Sequence, residues 1–233
     1  MKRRHKILLG CIWVSLILVP LFGKSFVKDK FIFIERFISN PSSVGSITPS
    51  SSFLAAEITK YIAPESDSIK ILEVGAGTGI FTKRIISKLR PGDVFDVIEI
   101  DPELCGVMKK QFDGLNNVTI NCLSILDWKP KYKYDYIVSG LPFNAFEASF
   151  VDAILKHYEK LIKPDGILSY FEYIALADIK KMFLSGEKLE KYQKVQEVTS
   201  MFRAKYEFEL VKIFANFPPA YVHFLRINEL KSL

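Results

Sequence analysis

Cysteine and histidine are scarce in this chain of 233 residues, which has three of each. Cys11, Cys105 and Cys122 are too few and too scattered for a disulfide framework, and no cysteine and histidine spacing resembles a zinc site. The histidines are His5, His157 and His223. We therefore expect a reducing compartment and no metal.

Most of the chain has no excess of positive over negative charge, although the formal net charge of the whole chain is +6. Residues 1–30 hold seven of the 32 Lys and Arg and one of the 26 acidic residues, which leaves 25 of each in residues 31–233. A protein that binds nucleic acid usually spreads its basic residues over the folded domain. Basic residues beside an apolar segment are typical of contact with anionic lipid instead. The distribution favours an anionic bilayer surface as a partner and argues against nucleic acid.

The N-terminal segment contains an uncharged run of 17 residues at 7–23. As a helix it would reach about 25 Å, against roughly 30 Å of bilayer hydrocarbon, so spanning the membrane and lying flat both stay open. No small-x-small cleavage site follows, which argues against a cleaved signal. Residues 24–38 mix Phe and Ile with charged residues, as interfacial helices do, although a helix packed on the domain is the alternative. We expect a membrane-associated segment at 1–38 and one domain at 39–233.

The rest of the chain alternates between strand patterns and helical periodicity, with no internal repeat. Strand patterns lie at 69–74, 94–100, 118–122, 134–139 and 167–173, and two more lie at 206–214 and 220–227. This alternation predicts an α/β, Rossmann-like fold with a mostly parallel seven-stranded sheet and an antiparallel C-terminal strand pair. A ligand of such a sheet binds at the carboxyl ends of the strands.

A glycine-rich loop follows the first predicted strand, in the stretch EVGAGTG. Its glycines are Gly75, Gly77 and Gly79, with Glu73 just before them. Glycines let the backbone turn tightly and approach a ligand closely. Glu99 ends the second strand, where a carboxylate can accept both hydroxyls of a ribose. Asp101 is the alternative for that role, and its other interpretation is a helix N-cap.

The stretches LEVGAGTG and VIEID resemble the cofactor signature of class I S-adenosylmethionine-dependent methyltransferases, and the resemblance covers residues 69–227. It implies S-adenosyl-L-methionine as cofactor, with the three glycines lining its methionine and ribose. It also implies that Glu99 holds the ribose and that Glu73 faces the methionine ammonium. The superfamily usually delivers an acid to the adenine from the third strand. Here Ser124 stands near that position, and Asp127 follows as either an adenine ligand or a solvated loop residue.

Three further stretches, FISNPSSVGSITPSS, VSGLPF and NFPPAYVHFLR, resemble bacterial phospholipid N-methyltransferases. That resemblance implies methyl transfer to the headgroup amine of phosphatidylethanolamine, towards phosphatidylcholine, or of a related amino lipid. The enzyme would be membrane-associated, with its catalytic domain facing the cytoplasm. The more distantly similar rRNA adenine dimethyltransferases carry Asn-Leu-Pro-Tyr where this chain has 140–143, so Gly140 lacks their Asn side chain. rRNA adenine methylation is the alternative, and a non-catalytic membrane-anchored interaction protein is a second one.

The acceptor side is predicted at the stretch that follows the fourth strand. Its candidate residues are Ser139, Gly140, Leu141, Phe143 and Tyr173. Only a neutral amine attacks the sulfonium methyl, so alignment and desolvation would supply much of the catalysis. The carbonyls of Gly140 and Leu141 would accept the amine hydrogens. Phe143 would offer its ring face to an ammonium, or would pack in the core.

Weaker candidates lie near the end of the chain. Glu172 and Tyr173 end the fifth strand, where they could bind or deprotonate the amine. His223 is a possible general base or a structural residue, as is Tyr221 beside it. His157 is predicted on a helix face and Ser50 at a helix cap.

Overall fold

A computed structural model describes residues 49–63, 67–112, 114–174, 185–216 and 219–227. All of them belong to the unit that runs from Gly45 to Leu233. The predicted membrane segment at 1–38 lies outside the described residues, as do Ser50's side chain and residues 175–184. Within the described ranges, no helix combines the length and the apolar character that crossing a membrane requires.

Seven strands and five helices follow one another in the described part of the chain. The strands are β1 (Lys70–Val74), β2 (Val94–Ile98), β3 (Val118–Asn121), β4 (Tyr134–Ser139), β5 (Ile162–Tyr173), β6 (Glu207–Ile213) and β7 (Ala220–Ile227). The helices are α1 (Pro49–Ile58), α2 (Ile80–Ile86), α3 (Pro102–Phe112), α4 (Ala148–Leu161) and α5 (Glu187–Tyr206). Short 3-10 turns lie at Ile125–Asp127 and Phe143–Ala145.

The strands form one sheet in the order β3-β2-β1-β4-β5-β7-β6. The first five pair in parallel, and β7 pairs antiparallel with both β5 and β6. The predicted fold class is therefore confirmed, including its antiparallel C-terminal pair. Because parallel strands point the same way, the ends of β1, β2, β4 and β5 meet at one edge of the sheet, which we call the carboxyl edge.

A hydrophobic core covers each face of the sheet. Alternate residues of β1 point to opposite sides, so Leu72 joins the core under α4 and α5 while Ile71 joins the core under α1, α2 and α3. Full burial of a Leu or Ile side chain stabilises the fold by about 1.5–3 kcal/mol. The two cores hold β1 and β4 in the centre of the sheet, and with them the loops at their ends.

Strand β5 begins earlier than the sequence predicts, because the Lys-Pro-Asp-Gly stretch at 163–166 is part of it and not a turn before it. Asp165 adopts a left-handed φ of 61°. The register between β4 and β5 shifts between Tyr134 and Tyr136, opposite this stretch. The irregularity absorbs the turn-forming residues within a continuous strand.

A disulfide joins Cys105 in α3 to Cys122 just after β3. The disulfide corrects the expectation drawn from the scattered cysteines. The expectation of a reducing compartment rested on that expectation and loses its support. The two residues are 17 positions apart in sequence, but α3 returns along the sheet edge beside β3 and brings their Cα atoms to 5.7 Å. The bond ties α3 to the sheet on one side of the carboxyl edge.

Reduction of this disulfide should lower the free energy of unfolding by about 3 kcal/mol, because it releases a constraint on the unfolded chain. Urea denaturation with and without dithiothreitol measures the difference. The double variant Cys105→Ala/Cys122→Ala is the control, and its midpoint should not respond to the reductant. Equal midpoints for the wild-type protein under both conditions would contradict the prediction.

Candidate active site

The glycine-rich loop lies at the carboxyl edge, between β1 and α2. Gly75, Gly77 and Gly79 have φ values of +73°, +56° and +79°, a region that residues with a side chain rarely adopt. The N–H of Gly75 donates to the carbonyl of Ile98 at 2.8 Å, which ties the loop to β2. The sequence pattern predicted this loop, and the backbone explains why glycine occupies all three positions.

The three glycines differ in the space around them. A Cβ atom at Gly75 would lie 2.7 Å from Cδ2 of Leu141, and one at Gly79 would lie 2.8 Å from Sδ of Met108. A Cβ atom at Gly77 would meet nothing within 4 Å. The loop is thus packed against protein at both ends and open in its middle, where a ligand can approach the backbone.

Glu99 is held firmly beside this loop. Its Oε2 accepts the N–H of Gly77 at 2.7 Å, and its Oε1 accepts the N–H of Asp101 at 2.9 Å. The side chain is buried, and each carboxylate oxygen keeps a lone pair for a further donor, as two ribose hydroxyls require. Glu99 therefore remains the predicted ribose ligand.

Asp101 has the helix-capping role that was its other interpretation. Its Oδ1 accepts the N–H groups of Glu103 at 2.9 Å and Leu104 at 3.0 Å, as an N-cap of α3 does. A carboxylate at this position also interacts favourably with the helix dipole. The two acids at the end of β2 thus have separate roles.

Glu73 is the most perturbed acid near the loop. It is fully buried, its Oε2 accepts the hydroxyl of Thr82 at 2.7 Å, and its Oε1 has no hydrogen-bond partner in the described part of the chain. Burial away from water raises the pKa of this carboxyl to about 8. A buried carboxylate oxygen without a partner is costly, and a cation would satisfy it. The methionine ammonium of S-adenosylmethionine fits that need.

The adenine side of the site has fewer candidate ligands. The hydroxyl of Ser124 accepts the N–H of Leu126 at 3.3 Å and so caps the 3-10 turn Ile125–Asp127. Asp127 ends that turn with its side chain exposed. The Cys105–Cys122 disulfide anchors the chain two residues before Ser124. Adenine binding by Ser124 stays a prediction.

The loop after β4 touches the glycine-rich loop directly. The N–H of Gly140 donates to the carbonyl of Val74 at 2.8 Å. A Cβ atom at Gly140 would lie only 2.5 Å from the carbonyl oxygen of Gly75. Glycine at this position is therefore required by packing, a reason that the sequence pattern did not reveal. Leu141 follows and packs its side chain on Gly75.

Two of the predicted acceptor residues are part of the core. The ring of Phe143 is 3% exposed and packs edge-on against Tyr170, with 5.3 Å between ring centroids. This favours core packing over the predicted contact with an ammonium, because no free ring face remains. Ser139 is also buried, and its Oγ accepts the hydroxyl of Tyr158 at 3.0 Å. Both side chains anchor the loop after β4 in the core.

The end of β5 presents its last two residues to opposite faces of the sheet. Tyr173 packs on Phe171 in the core of α1, α2 and α3, where burial raises the pKa of its hydroxyl to about 12. Glu172 lies on the other face, where its Oε1 is 3.2 Å from Nη1 of Arg203. The structure therefore separates these two candidates.

The remaining candidates have local partners. The Nε2 atom of His157 is 3.0 Å from the carbonyl oxygen of Trp128, as expected for a helix-face residue with a structural contact. The Nζ atom of Lys212 lies over the ring of Tyr221 at 5.3 Å. His223 is buried in a group of charged side chains. Across the part of the chain that the structure describes, no group of three or more His, Cys, Asp or Glu could hold a metal ion.

Comparison with known proteins agrees with this geometry. Residues 72–168 match the protein family described as a methyltransferase domain. The ornithine lipid N-methyltransferase of Singulisphaera acidiphila is 27% identical over 146 residues, which are 60% of this chain and 76% of that protein. The probable ribosomal RNA small subunit methyltransferase A of Methanosarcina barkeri is 35% identical over 107 residues, which are 45% of this chain and 34% of that protein.

A solved structure shows the same fold. The N-methyltransferase NodS from Bradyrhizobium japonicum WM9, in complex with S-adenosyl-l-homocysteine, superimposes with a TM-score of 0.62 at 16% identity, over 84% of this chain and 96% of that one. The superposition shows that this chain has the fold of that enzyme, and the methyltransferase-domain match includes the glycine-rich loop and Glu99. The predicted cofactor, S-adenosyl-L-methionine, agrees with the methyltransferase-domain match over residues 72–168.

Replacing Gly140 with alanine should weaken both the fold and the cofactor site, because the new Cβ forces the two loops apart. Overpacking of this kind costs about 1–3 kcal/mol. We expect a lower urea midpoint and an affinity for S-adenosylhomocysteine reduced about tenfold, which calorimetry measures. Gly106→Ala in α3 is the matched control, since its Cβ meets nothing within 4 Å and alanine favours a helix. The prediction fails if the two variants behave alike.

Cofactor binding should release a proton from Glu73. At pH 6.5 the carboxyl is protonated in the free protein, because its pKa is raised to about 8, and a bound ammonium lowers that pKa. Calorimetry in two buffers of different ionisation enthalpy measures the proton. Glu73→Gln should bind the cofactor more weakly and release none; an unchanged proton count in that variant would refute the assignment.

The same carboxyl should shape the stability of the cofactor-free protein. Because the pKa of Glu73 is raised in the folded state, its protonated carboxyl stabilises the folded protein at low pH. This stabilisation is lost as the pH rises from 4.5, the usual pKa of the group, towards 8. Glu73→Gln should remove that part of the pH dependence in urea titrations. A wild-type slope that persists in the variant would assign the effect to other groups.

Proposed function

We propose that this protein is a class I, S-adenosylmethionine-dependent methyltransferase that transfers methyl groups to the headgroup amine of a membrane lipid. Its similarity to the ornithine lipid N-methyltransferase, over 60% of this chain, carries the proposal. Phosphatidylethanolamine is the acceptor that we propose from the sequence, with conversion towards phosphatidylcholine, and an ornithine lipid is the other candidate. Both are amino lipids with an amine that can be made neutral for attack.

The contact between the loops after β1 and β4 supports transfer to such an amine. Methyl transfer to an amine needs no covalent enzyme intermediate, so the main task of the enzyme is to hold the amine beside the sulfonium methyl. The carbonyl of Leu141 already accepts the N–H of Phe143 at 3.0 Å, which leaves it one lone pair for an amine hydrogen. The Gly140 carbonyl is the second acceptor in our proposal. Phe143 supports this loop from the core and does not face the amine.

Membrane association is the second part of the proposal. The basic and apolar segment at 1–38 would hold the catalytic domain on the surface of an anionic bilayer. Two large apolar side chains near the site support this placement. Ile100 follows β2 and is 66% exposed, and Phe214 follows β6 and is 70% exposed. Both strands end at the carboxyl edge, so these side chains could reach the lipid surface.

Methylation of rRNA adenine is the second candidate, and the 35% identity to the ribosomal RNA methyltransferase favours it. Gly140 argues against it. The rRNA enzymes carry an Asn side chain at this position, and here a Cβ would lie 2.5 Å from the carbonyl oxygen of Gly75. The balanced charge of residues 31–233 also lacks the basic surplus typical of RNA enzymes.

Transfer of a labelled methyl group separates these candidates. The protein is incubated with labelled S-adenosylmethionine and either vesicles of phosphatidylethanolamine with an anionic lipid, vesicles containing an ornithine lipid, vesicles without an amino lipid, or rRNA. We expect label in the lipid extract only where an amino lipid is present, and more of it when the vesicles are anionic. Mass spectrometry counts the methyl groups. Label in RNA, or none in any lipid while the cofactor binds, would overturn the proposal.

A pair of variants ties that transfer to the described site. Glu99→Gln should lose most of the activity and of the cofactor affinity, because a neutral amide accepts fewer hydrogen bonds from the ribose and the loop. Asp101→Asn is the matched control, since asparagine caps a helix as well as aspartate does. It should retain both properties.

A further inference from the structure

A partly buried group of charged side chains lies between the sheet and α5, and neither the fold nor the cofactor accounts for it. We call it the β5–α5 cluster, and its members are Tyr170, Glu172, Arg203, Glu207 and His223. Arg203 donates from Nη1 to the hydroxyl of Tyr170 at 3.1 Å and to Oε1 of Glu172 at 3.2 Å. The cluster draws its members from β5, β6, β7 and α5.

His223 is the centre of the cluster. Its Nδ1 is 2.5 Å from Oε2 of Glu207, and its Nε2 is 4.0 Å from Oε2 of Glu172. The Nε2 atom is buried and has no hydrogen-bond partner among the described residues. A buried polar atom without a partner destabilises the fold, so its presence calls for a functional explanation.

The formal charges of the cluster do not cancel. Two carboxylates face one guanidinium, and burial lowers the pKa of His223, which keeps the imidazole neutral. Tyr170 stacks on the imidazole with 4.8 Å between ring centroids, and Tyr221 lies 6.3 Å away, so neither adds a positive charge. The cluster thus carries one negative charge in excess beneath α5, which a cation would balance.

The β5–α5 cluster lies next to the loop after β4, where the acceptor is proposed to bind. Phe143 packs on Tyr170, and Gln196 of α5 donates to Oδ1 of Asn144 at 2.8 Å. Ser139, the last residue of β4, pairs with Tyr170 in register. Glu172 is two residues further along β5, so its backbone stands level with the start of the loop after β4. Its side chain is 12% exposed, which leaves a route for contact.

We propose that Glu172 receives the ammonium of the acceptor and that His223, held by Glu207, takes the proton that the amine must lose. This inference rests on the proposed transfer to an amine, whose unperturbed pKa is about 10. Glu172 touches the substrate, His223 receives the proton through Glu172, and Glu207 acts as a positioning residue that holds the imidazole. The excess negative charge attracts the ammonium, and the unpartnered Nε2 accepts the proton.

The proton and electron pairs balance in this scheme. An N–H bond of the ammonium breaks, and its proton passes by way of Glu172 to Nε2 of His223. The separation of 4.0 Å is longer than a hydrogen bond, so the carboxyl must move or a water must bridge it. The freed lone pair forms the N–C bond as the C–S bond breaks, and sulfur keeps that electron pair. After the product has left, the imidazolium, held at Nδ1 by Glu207, returns the Nε2 proton to solvent by way of Glu172, which restores the neutral imidazole with a free Nε2.

The pH dependence of kcat/KM with amino-lipid vesicles tests this scheme. We expect His223→Gln and Glu207→Gln to lose about tenfold at pH 7 and to recover most of it at pH 9, where more of the amine is already neutral. Glu209→Gln is the matched control, because this carboxylate lies on the same strand but bonds Lys60 and Tyr61. Its profile should follow the wild type.

Three outcomes separate the hypotheses. An equal loss at every pH, or an unchanged profile in both variants, would overturn the proton route while leaving lipid methylation intact. Absence of lipid methylation by the wild-type protein at all pH values would instead overturn the proposed function. Thermal midpoints are measured alongside; if His223→Gln unfolds, the more exposed Glu207 carries the test, and its variant must still show the pH-dependent loss.

Discussion

The close backbone contact between Gly75 and Gly140 is the constraint on which the site depends. The loops after β1 and β4 are joined by a hydrogen bond of 2.8 Å from the N–H of Gly140 to the carbonyl of Val74. They lie so close that a Cβ atom does not fit at Gly140. Since β1 and β4 are neighbours in the centre of the sheet, both cores hold this contact in place. It places the loop of the candidate cofactor site beside the loop of the proposed acceptor site, as direct methyl transfer without a covalent intermediate requires.

Three acids around this contact illustrate how burial and partners assign roles. Glu99 has a backbone donor on each oxygen and is fixed for neutral hydroxyl ligands. Glu73 has a buried oxygen that no described residue contacts by a hydrogen bond, and this oxygen fits a cation. Glu172 accepts a hydrogen bond from Arg203, which also donates to Tyr170, and it lies beside the neutral imidazole of His223. In our account the first two acids serve the cofactor and the third serves the acceptor.

The sequence predicted the parts of this arrangement that have local signals. Alternating apolar runs predicted the sheet, and the resemblance carried by the glycine-rich loop and Glu99 implied the cofactor. It could not predict the Cys105–Cys122 disulfide, because pairing depends on how α3 returns beside β3. Nor could it decide whether Phe143 packs in the core. The β5–α5 cluster assembles residues from four elements, so no single stretch carries its pattern.

The account joins a cofactor site on one side of the Gly75–Gly140 contact to an amine site on the other. A crystal structure with S-adenosylhomocysteine and a short-chain phosphatidylethanolamine measures this directly. We predict the amine nitrogen within hydrogen-bond distance of the Gly140 or Leu141 carbonyl, close to Glu172 and facing the cofactor sulfur. An amine bound away from that loop, or a cofactor that leaves Glu73 without a cationic partner, would contradict the account.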